Sequence, residues 1–148
     1  MTQRLIVEAD GGSRGNPGPA GYGAVVRDAA TGGVLAEVAE GIGKATNNVA
    51  EYRGLVAGLR AAADLAPGAS VDVRLDSDLL VKQMKGVYRV KNPGLQPLYE
   101  EAKGLAARFA GVTYTWVPRA RNAHADRLAN EAMDAASAGR AWVPRAGA

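Results

Sequence analysis

Residues 4–28 read RLIVEADGGSRGNPGPAGYGAVVRD, two apolar runs on either side of a glycine-rich stretch. The first run predicts a buried strand over 4–10, and the second predicts a strand over 21–28. Asn-Pro-Gly within GGSRGNPGPAG is a turn signal, so we expect the intervening stretch to be a loop. A hairpin turn over 28–33 and a strand over 34–41 follow. This part of the chain therefore predicts three sequential antiparallel strands.

An amphipathic helix is predicted over 48–66, because apolar side chains recur there at intervals of three and four residues. They are Tyr52, Leu55, Val56, Leu59, Ala63 and Ala66. We expect Asn47 or Asn48 to cap its start and Pro67-Gly68 to end it. The later elements are a strand over 70–75, a short helix from 76 to about 85, a linker over 86–93, a helix over 95–109, a strand over 112–117 and a helix over 123–138. This order predicts an α/β fold in which a mixed sheet carries helices on its faces.

The size and composition favour one domain without covalent crosslinks. The chain has 148 residues, no cysteine and one histidine, which excludes disulfides and thiolate metal sites and disfavours zinc. No apolar run reaches about 18 residues and no signal peptide is visible, so we expect a cytoplasmic protein. We expect the domain to span residues 1–140 and residues 141–148 to form a flexible C-terminal tail.

Charge is distributed unevenly along the chain, whose formal net charge is +3. Residues 1–81 carry a net charge of −3, and residues 82–148 carry +6. A cationic surface beside an anionic pocket suits a polyanion that is processed at that pocket. A solvated surface with a chance asymmetry is the other interpretation of the same charges.

Acidic residues stand at the ends of predicted elements, where their carboxylates can converge. They are Asp10, Glu51, Asp76 and Asp126. Converging carboxylates raise one another's pKa, and hard divalent cations such as Mg²⁺ or Mn²⁺ relieve that repulsion. Each acid also has a purely structural interpretation. Glu51 fits a capping box behind Asn48, Asp76 fits the cap of the short helix, and a charge such as that of Asp126 is favourable at a helix N-terminus.

Other features of the sequence have two interpretations as well. The glycine-rich stretch either turns the chain or lets its backbone approach a sugar–phosphate chain closely. His124 lies two positions before Asp126, and residues two apart on a helix do not face each other. We therefore expect His124 to be a half-exposed residue at the start of the helix. We expect Trp116 to lie in the core rather than to stack on a base.

Several segments jointly resemble ribonuclease HI in its shorter, archaeal-like form. They are DGGSRGNPGPAGYGA, TNNVAEY, LDSDLLVKQMKG, VKNP with LYEEA, and WVPRARNAHADRLAN. They run from residue 10 to about 131, which is nearly the whole chain. The resemblance implies the ribonuclease H fold, a five-stranded mixed sheet with three antiparallel strands, then parallel ones, and helices on both faces.

The resemblance also implies an activity, the endonucleolytic hydrolysis of the RNA strand of an RNA–DNA hybrid, with 5′-phosphate and 3′-hydroxyl products. The acids match the family's metal-binding residues, so Asp10 would bridge two Mg²⁺ ions, for which Mn²⁺ can substitute. Asp126 would complete one metal site, and Glu51 with Asp76 the other. The implied partner is the hybrid duplex, bound by a monomer without membrane attachment.

Substrate-binding positions follow from the same resemblance. Recognition of the hybrid through its minor groove maps to Gly11, Gly12, Ser13, Asn47, Asn48 and Ser77, and a pocket for a DNA phosphate maps to Asn16 and Thr46. The family's best-known form carries a basic protrusion that is missing from residues 86–92 here, which shifts expected phosphate contacts to Lys91, Arg119 and Arg121. That form also places a histidine in a loop before its last aspartate. The loop here is short and carries an arginine in that place, so His124 does not inherit the role.

Two other functional classes stay open. Another nuclease with the same fold, such as a junction resolvase or a 3′–5′ exonuclease, would use similar acids, although the Asn47-Asn48 pair beside Glu51 favours the hybrid-cutting family. A non-catalytic nucleic-acid-binding domain is disfavoured, because clustered carboxylates repel phosphate. A phosphatase is disfavoured because the sequence has no nucleophile motif.

Overall fold

The order of strands and helices is the predicted one, β-β-β-α-β-α-α-β-α. The computed structural model describes residues 3–144. The strands are β1 (Arg4–Ser13), β2 (Gly18–Asp28), β3 (Val34–Ala45), β4 (Ser70–Leu75) and β5 (Gly111–Trp116). The helices are α1 (Asn47–Leu65), α2 (Asp78–Met84), α3 (Gln96–Ala106) and α4 (Ala123–Ser137). A 3₁₀ turn over Arg119–Arg121, which was not predicted, leads into α4.

The five strands form one mixed sheet in the order β3-β2-β1-β4-β5. β1 pairs antiparallel with β2, and β2 pairs antiparallel with β3. β1 pairs parallel with β4, and β4 pairs parallel with β5. β1 is thus the central strand, and its alternating residues Leu5, Val7 and Ala9 are buried. The prediction of three antiparallel strands followed by parallel ones is confirmed.

Helices cover both faces of the sheet, as predicted. On one face α1 packs so closely that a Cβ on its Gly58 would lie 2.6 Å from Cγ1 of Val7. On the other face α4 packs on β2, where a Cβ at Gly23 would lie 2.5 Å from Cβ of Leu128. The apolar residues that were predicted to define the inner side of the first helix are all buried; they are Tyr52, Leu55, Val56, Leu59, Ala63 and Ala66.

The glycine-rich stretch is mostly strand, so the prediction of a loop there is wrong. β1 continues to Ser13 and β2 begins at Gly18, which leaves only residues 14–17 to connect them. Gly11 serves packing. At Gly11, α1 lies so close to β1 that a Cβ would be 2.3 Å from the carbonyl carbon of Ala50.

The ends of one strand and one helix differ from prediction. β3 continues to Ala45 rather than ending at residue 41, because the early start of β2 at Gly18 supplies a pairing partner for it. α3 ends at Ala106 rather than at residue 109.

Two helix caps also differ from the predicted ones. α1 is capped by Thr46, whose side chain accepts a hydrogen bond from the third helical residue, rather than by Asn47 or Asn48. α2 is capped by Ser77 rather than by Asp76. In both places a hydroxyl group takes the cap, so the neighbouring amide and carboxylate groups are left for other contacts.

Trp116 is not in the core, contrary to prediction, because its side chain lies on the edge strand β5 and is 51% exposed. Its indole N–H donates a hydrogen bond of 3.3 Å to the carbonyl oxygen of Asp76. The exposed ring therefore lies beside the end of β4.

The predicted flexible tail falls partly outside the described residues, at 145–148. Within the described part, the indole N–H of Trp142 donates a 3.1 Å hydrogen bond to the carboxylate of Glu131 on α4. Among residues 3–144, no helix has the length and apolar character needed to cross a membrane.

Candidate active site

Two of the predicted acids lie side by side, one within β1 and one directly after β4. β1 and β4 run parallel, with Ala9 paired to Leu75. The residue that follows each of them is an aspartate, Asp10 and Asp76. Because paired strands lie roughly 4.8 Å apart, this register brings the two side chains together where the pairing of β1 with β4 ends.

Glu51 reaches the same point from α1. The helix can lie directly on β1 because Gly11 has no side chain to hold Ala50 away. With Thr46 as the cap, Glu51 lies beyond the first turn, which contains no acidic residue. The capping-box interpretation of Glu51 therefore fails. One carboxylate oxygen from Glu51 and one from each of the two strand aspartates lie within 4.8 Å of one another.

Asp126 joins this group from α4, which covers the opposite face of the sheet from α1. It lies in the first turn of α4 and lines the same cavity as the other three acids. A hydrogen bond between the side chains of Asp126 and Asp10 contributes to a raised pKa at Asp10. The structure thus brings all four predicted acids to one place.

The crowded acids hold their protons more tightly than free carboxylic acids do. Burial raises the pKa of Asp10 to about 8, and the charges of the other three acids add to this effect. Burial and the charge of Asp76 raise the pKa of Glu51 to about 7. Burial also raises the pKa of Asp76, although the guanidinium group of Arg119 opposes it. The fully ionised cluster therefore needs nearby positive charge.

The donor set fits a hard divalent cation. The converging ligand atoms are carboxylate oxygens, which are the ligands that Mg²⁺ and Mn²⁺ prefer. A cation held there would also offset the mutual repulsion of the acids. The residues present therefore fit the metal site that the sequence predicted.

The acids open onto a cavity of about 460 Å³. Five of the residues predicted to bind substrate line it, namely Gly11, Gly12, Ser13, Asn47 and Arg119. Four further lining residues were not predicted, namely Arg14, Ala129, Asn130 and Met133. Arg119 lies near enough to the acids to lower the pKa of both Glu51 and Asp76 against the larger effect of burial.

A hydrogen-bond chain holds the β1–β2 connection against the start of α1. The Ser13 N–H donates to Oδ1 of Asn47 at 2.8 Å. The Asn47 N–H in turn donates to Oδ1 of Asn16 at 3.1 Å. This chain fixes one wall of the cavity, although Asn16 itself does not line it.

The other predicted substrate-binding residues lie around the cavity rather than in its lining. Ser77 caps α2, and its side chain also hydrogen-bonds to Glu51. Thr46 caps α1, and Asn48 lies in the first turn of that helix. Arg121 is exposed on the 3₁₀ turn.

Asn122, which lies beneath the acids, was not among the predicted site residues. The available signal was its position, since an asparagine just before an apolar-periodic run marks a helix cap. In the structure Asn122 stands at that position, but its side chain makes no capping hydrogen bond. Its Nδ2 instead donates to the carbonyl oxygen of Ala9, at 2.9 Å.

His124 is tied to the sheet rather than to the acids. Its side chain is partly exposed, at 23%. Nδ1 lies 2.8 Å from the guanidinium group of Arg27, and Nε2 pairs with Glu37. The ring therefore anchors the start of α4 to β2 and β3.

Comparison with known proteins gives consistent matches across most of the chain. The family model described as reverse transcriptase-like matches residues 8–132. A bifunctional protein of Mycobacterium tuberculosis is 59% identical over 134 residues, which are 90% of this chain and 36% of that protein. Ribonuclease HI of Halobacterium salinarum is 46% identical over 131 residues, which are 88% of this chain and 65% of that protein. The chain thus spans about a third of the first relative and less than two thirds of the second.

Solved structures agree with these matches. The N-terminal RNase H domain of the M. tuberculosis protein, solved as a fusion with maltose binding protein, has 57% identity and a TM-score of 0.89 over 93% of this chain and 99% of that chain. LC11-RNase H1, solved in complex with an RNA/DNA hybrid, has 42% identity and a TM-score of 0.85 over 90% of this chain and 99% of that one.

Proposed function

This chain belongs to the ribonuclease H family, and we propose that it cuts the RNA strand of RNA–DNA hybrids internally, leaving 5′-phosphate and 3′-hydroxyl ends. One observation carries the proposal: acids from β1, α1, the end of β4 and α4 converge on a single cavity. A domain that only binds nucleic acid gains nothing from anions placed beside a phosphate chain. The proposal concerns the unit formed by residues 1–140, which contains the matched region.

Two divalent cations are part of the proposal, Mg²⁺ with Mn²⁺ as a substitute. The residues proposed to hold them are Asp10, Glu51, Asp76 and Asp126, and Asp10, which interacts with all three others, is the one proposed to be shared. When bound, such cations activate a water as the nucleophile and stabilise charge on the leaving 3′ oxygen. The raised pKa values of Asp10 and Glu51 support a site that exchanges protons for metal.

Residues around the acids are proposed to select the hybrid. Backbone groups of Gly11–Ser13 and the amide of Asn47 line the cavity beside the acids, and they are proposed to hydrogen-bond 2′-hydroxyl groups in a minor groove. The amide of Asn48 and the hydroxyl of Ser77 lie nearby and extend this polar set. The hybrid bound by the related LC11-RNase H1 supports the same partner here.

Cationic and phosphate-binding groups complete the proposed interface. Arg119 lines the cavity and is proposed to contact a phosphate of the RNA strand, since guanidinium groups pair well with phosphate. Arg121, exposed on the same turn, is proposed to contact the backbone further out. Asn16 and Thr46 are proposed to receive a phosphate of the DNA strand.

A substrate panel tests the proposal. End-labelled RNA–DNA hybrid, RNA duplex and DNA duplex of one sequence are incubated with the protein and Mg²⁺, Mn²⁺ or EDTA. We expect internal cuts in the RNA strand of the hybrid with either metal, and none with EDTA. Efficient cutting of the DNA duplex, release of single nucleotides from an end, or cleavage confined to branched DNA would instead indicate a different nuclease of this fold.

A further inference from the structure

Within residues 3–144, two residues with polar side chains are buried, Asn122 and Gln83. Asn122 is only 1% exposed. A buried amide lowers stability unless its hydrogen bonds are replaced. Gln83 accepts a 2.6 Å hydrogen bond from the hydroxyl of Tyr52 in the core, whereas Asn122 lies beside the acids. Its burial therefore calls for a separate explanation.

Helix capping does not explain the burial of Asn122. The residue occupies the cap position of α4, yet its side chain forms no hydrogen bond to the helix. Its Oδ1 is buried and has no hydrogen-bond partner among the residues that the structure describes. Such an arrangement lowers stability, and polar groups kept under those conditions are candidates for a functional role.

The contacts of Asn122 join three segments that carry acids. Nδ2 donates to the Ala9 carbonyl oxygen at 2.9 Å, directly before Asp10 in β1. The Asn122 carbonyl oxygen accepts the Asp126 N–H at 3.1 Å, which closes the first turn of α4. The side chain also reaches Asp76, where burial raises the pKa and the hydrogen bond from Asn122 lowers it.

We infer that Asn122 is a positioning residue that fixes the β1, β4 and α4 acids at the spacing needed to share divalent cations. One buried side chain hydrogen-bonds to β1 directly before Asp10 and to Asp76 directly after β4, and the Asn122 backbone begins the helix that carries Asp126. Partners that orient metal ligands from behind typically contribute about 10–100-fold to metal affinity or activity. The inference rests on the proposed metal site, and it concerns only how this chain's residues hold that site.

Asn122→Ala tests the inference through metal binding without nucleic acid. Mn²⁺ alone is titrated into the protein by isothermal calorimetry, and hybrid cleavage is measured separately. We expect the Mn²⁺ Kd to rise about 10–100-fold and kcat to fall, with KM for the hybrid nearly unchanged. Wild-type Mn²⁺ affinity in folded Asn122→Ala would overturn the inference. Wild-type protein that binds Mn²⁺ without cutting hybrid would overturn the proposed function and leave the inference standing.

Two further variants separate positioning from loss of stability. His124→Ala loosens the same helix start from its outer side, by removing the contacts with Arg27 and Glu37, without touching the acids. We expect it to lower Tm while leaving the Mn²⁺ Kd near the wild-type value. Asn122→Ser, a smaller polar change, is used if Asn122→Ala does not fold, and it should weaken Mn²⁺ binding in the same direction. If His124→Ala weakened Mn²⁺ binding as much as Asn122→Ala does, at a similar fall in Tm, the positioning role would be refuted.

Discussion

Asp10 is the acid whose pKa is raised most by burial and by neighbouring negative charges. Its carboxylate interacts with Glu51, Asp76 and Asp126, and burial with these charges raises its pKa to about 8. An acid with so high a pKa is mostly protonated at neutral pH unless a cation stands beside it. Asp10 is therefore the acid whose ionised form a bound metal ion would stabilise most.

The stability of the protein in EDTA should fall as pH rises, because of this cluster. Asp10 and Glu51 have folded-state pKa values of about 8 and about 7, above the ordinary values of 3.8 and 4.5. Between those limits the folded state binds more protons than the unfolded state, so the free energy of unfolding decreases with pH. The decrease should begin near pH 4 and level off above about pH 8.

Asp10→Asn should remove much of that pH dependence. A tenfold change in proton affinity corresponds to about 1.4 kcal/mol, and about 1 kcal/mol moves Tm by about 2–4 °C in a domain of this size. We therefore expect the variant to melt several degrees above wild type at pH 9 in EDTA, with little difference at pH 4. Thermal melts across this pH range measure it. A Tm difference that stays constant with pH would contradict the assigned cause.

His124 shows the opposite case, a titratable residue close in sequence to the acids but directed away from them. Its ring is held between Arg27 and Glu37. We expect His124→Ala to lower Tm, because part-buried polar partners lose their hydrogen bonds, but to keep substantial turnover. Asp126→Asn should lose far more of its turnover than His124→Ala. Steady-state kinetics at saturating hybrid measures both variants. A fall in the turnover of His124→Ala by roughly 10²–10⁴-fold, typical of removing a general acid–base residue, would contradict this expectation.

At the scale of elements, the site depends on how closely α1 lies against β1. A Cβ at Gly11 would be 2.3 Å from the Ala50 carbonyl carbon, whereas one at Gly12 would find its nearest neighbour, a side-chain atom of Met133, at 4.0 Å. Gly11→Ala must therefore push α1, with Glu51, away from the strand aspartates. Gly11 therefore has no room for a side chain, whereas Gly12, its neighbour in β1, does.

Gly11→Ala and Gly12→Ala form a matched pair for this claim. Overpacking typically costs about 1–3 kcal/mol, so we expect Gly11→Ala to lower the free energy of unfolding by that amount or more and to weaken Mn²⁺ binding. Gly12→Ala should change stability little. Urea denaturation with calorimetric Mn²⁺ titration checks both, and similar stability of the two variants would argue against the close packing.

The elements also show what the sequence could and could not predict. Periodicity identified α1 and its buried residues, because helical spacing is a local property. It misjudged the glycine-rich stretch, since the reason for Gly11 is a helix whose starting residue is about 36 positions later in the chain. Asn122 was likewise missed, because its hydrogen-bond partner Ala9 lies 113 positions away in the chain.

The site residues show the same difference between local patterns, which the sequence reveals, and contacts with distant residues, which it does not. The four acids were found because each stands at the end of a predicted element, and their convergence follows from the β1–β4 register together with the placement of α1 and α4. The local alternative for Glu51 failed because Thr46 takes the cap. The role of His124 depended on Glu37 in β3, a partner that no local pattern indicates.

At the scale of the whole molecule, an anionic cavity is built by elements from both ends of a chain whose charge is uneven. The acids of β1, α1 and β4 belong to residues 1–81, whose net charge is −3, whereas Arg119 and Arg121 belong to residues 82–148, whose net charge is +6. The sheet brings a cationic turn to the rim of an acidic cavity. Such an arrangement suits a polyanion that is held by its phosphates and cut beside them.

Cleavage of a hybrid by Asp10→Asn tests this account most directly. The RNA strand of an RNA–DNA hybrid is labelled and incubated in Mg²⁺ with wild type, with Asp10→Asn, and with Asp64→Asn, a matched change at an exposed acid of α1. We predict internal cuts with 5′-phosphate ends by wild type and Asp64→Asn, and a loss of more than about 100-fold in Asp10→Asn, since a ligand should matter more than the residues behind it. Cleavage by folded Asp10→Asn at the wild-type rate would contradict the metal-dependent mechanism.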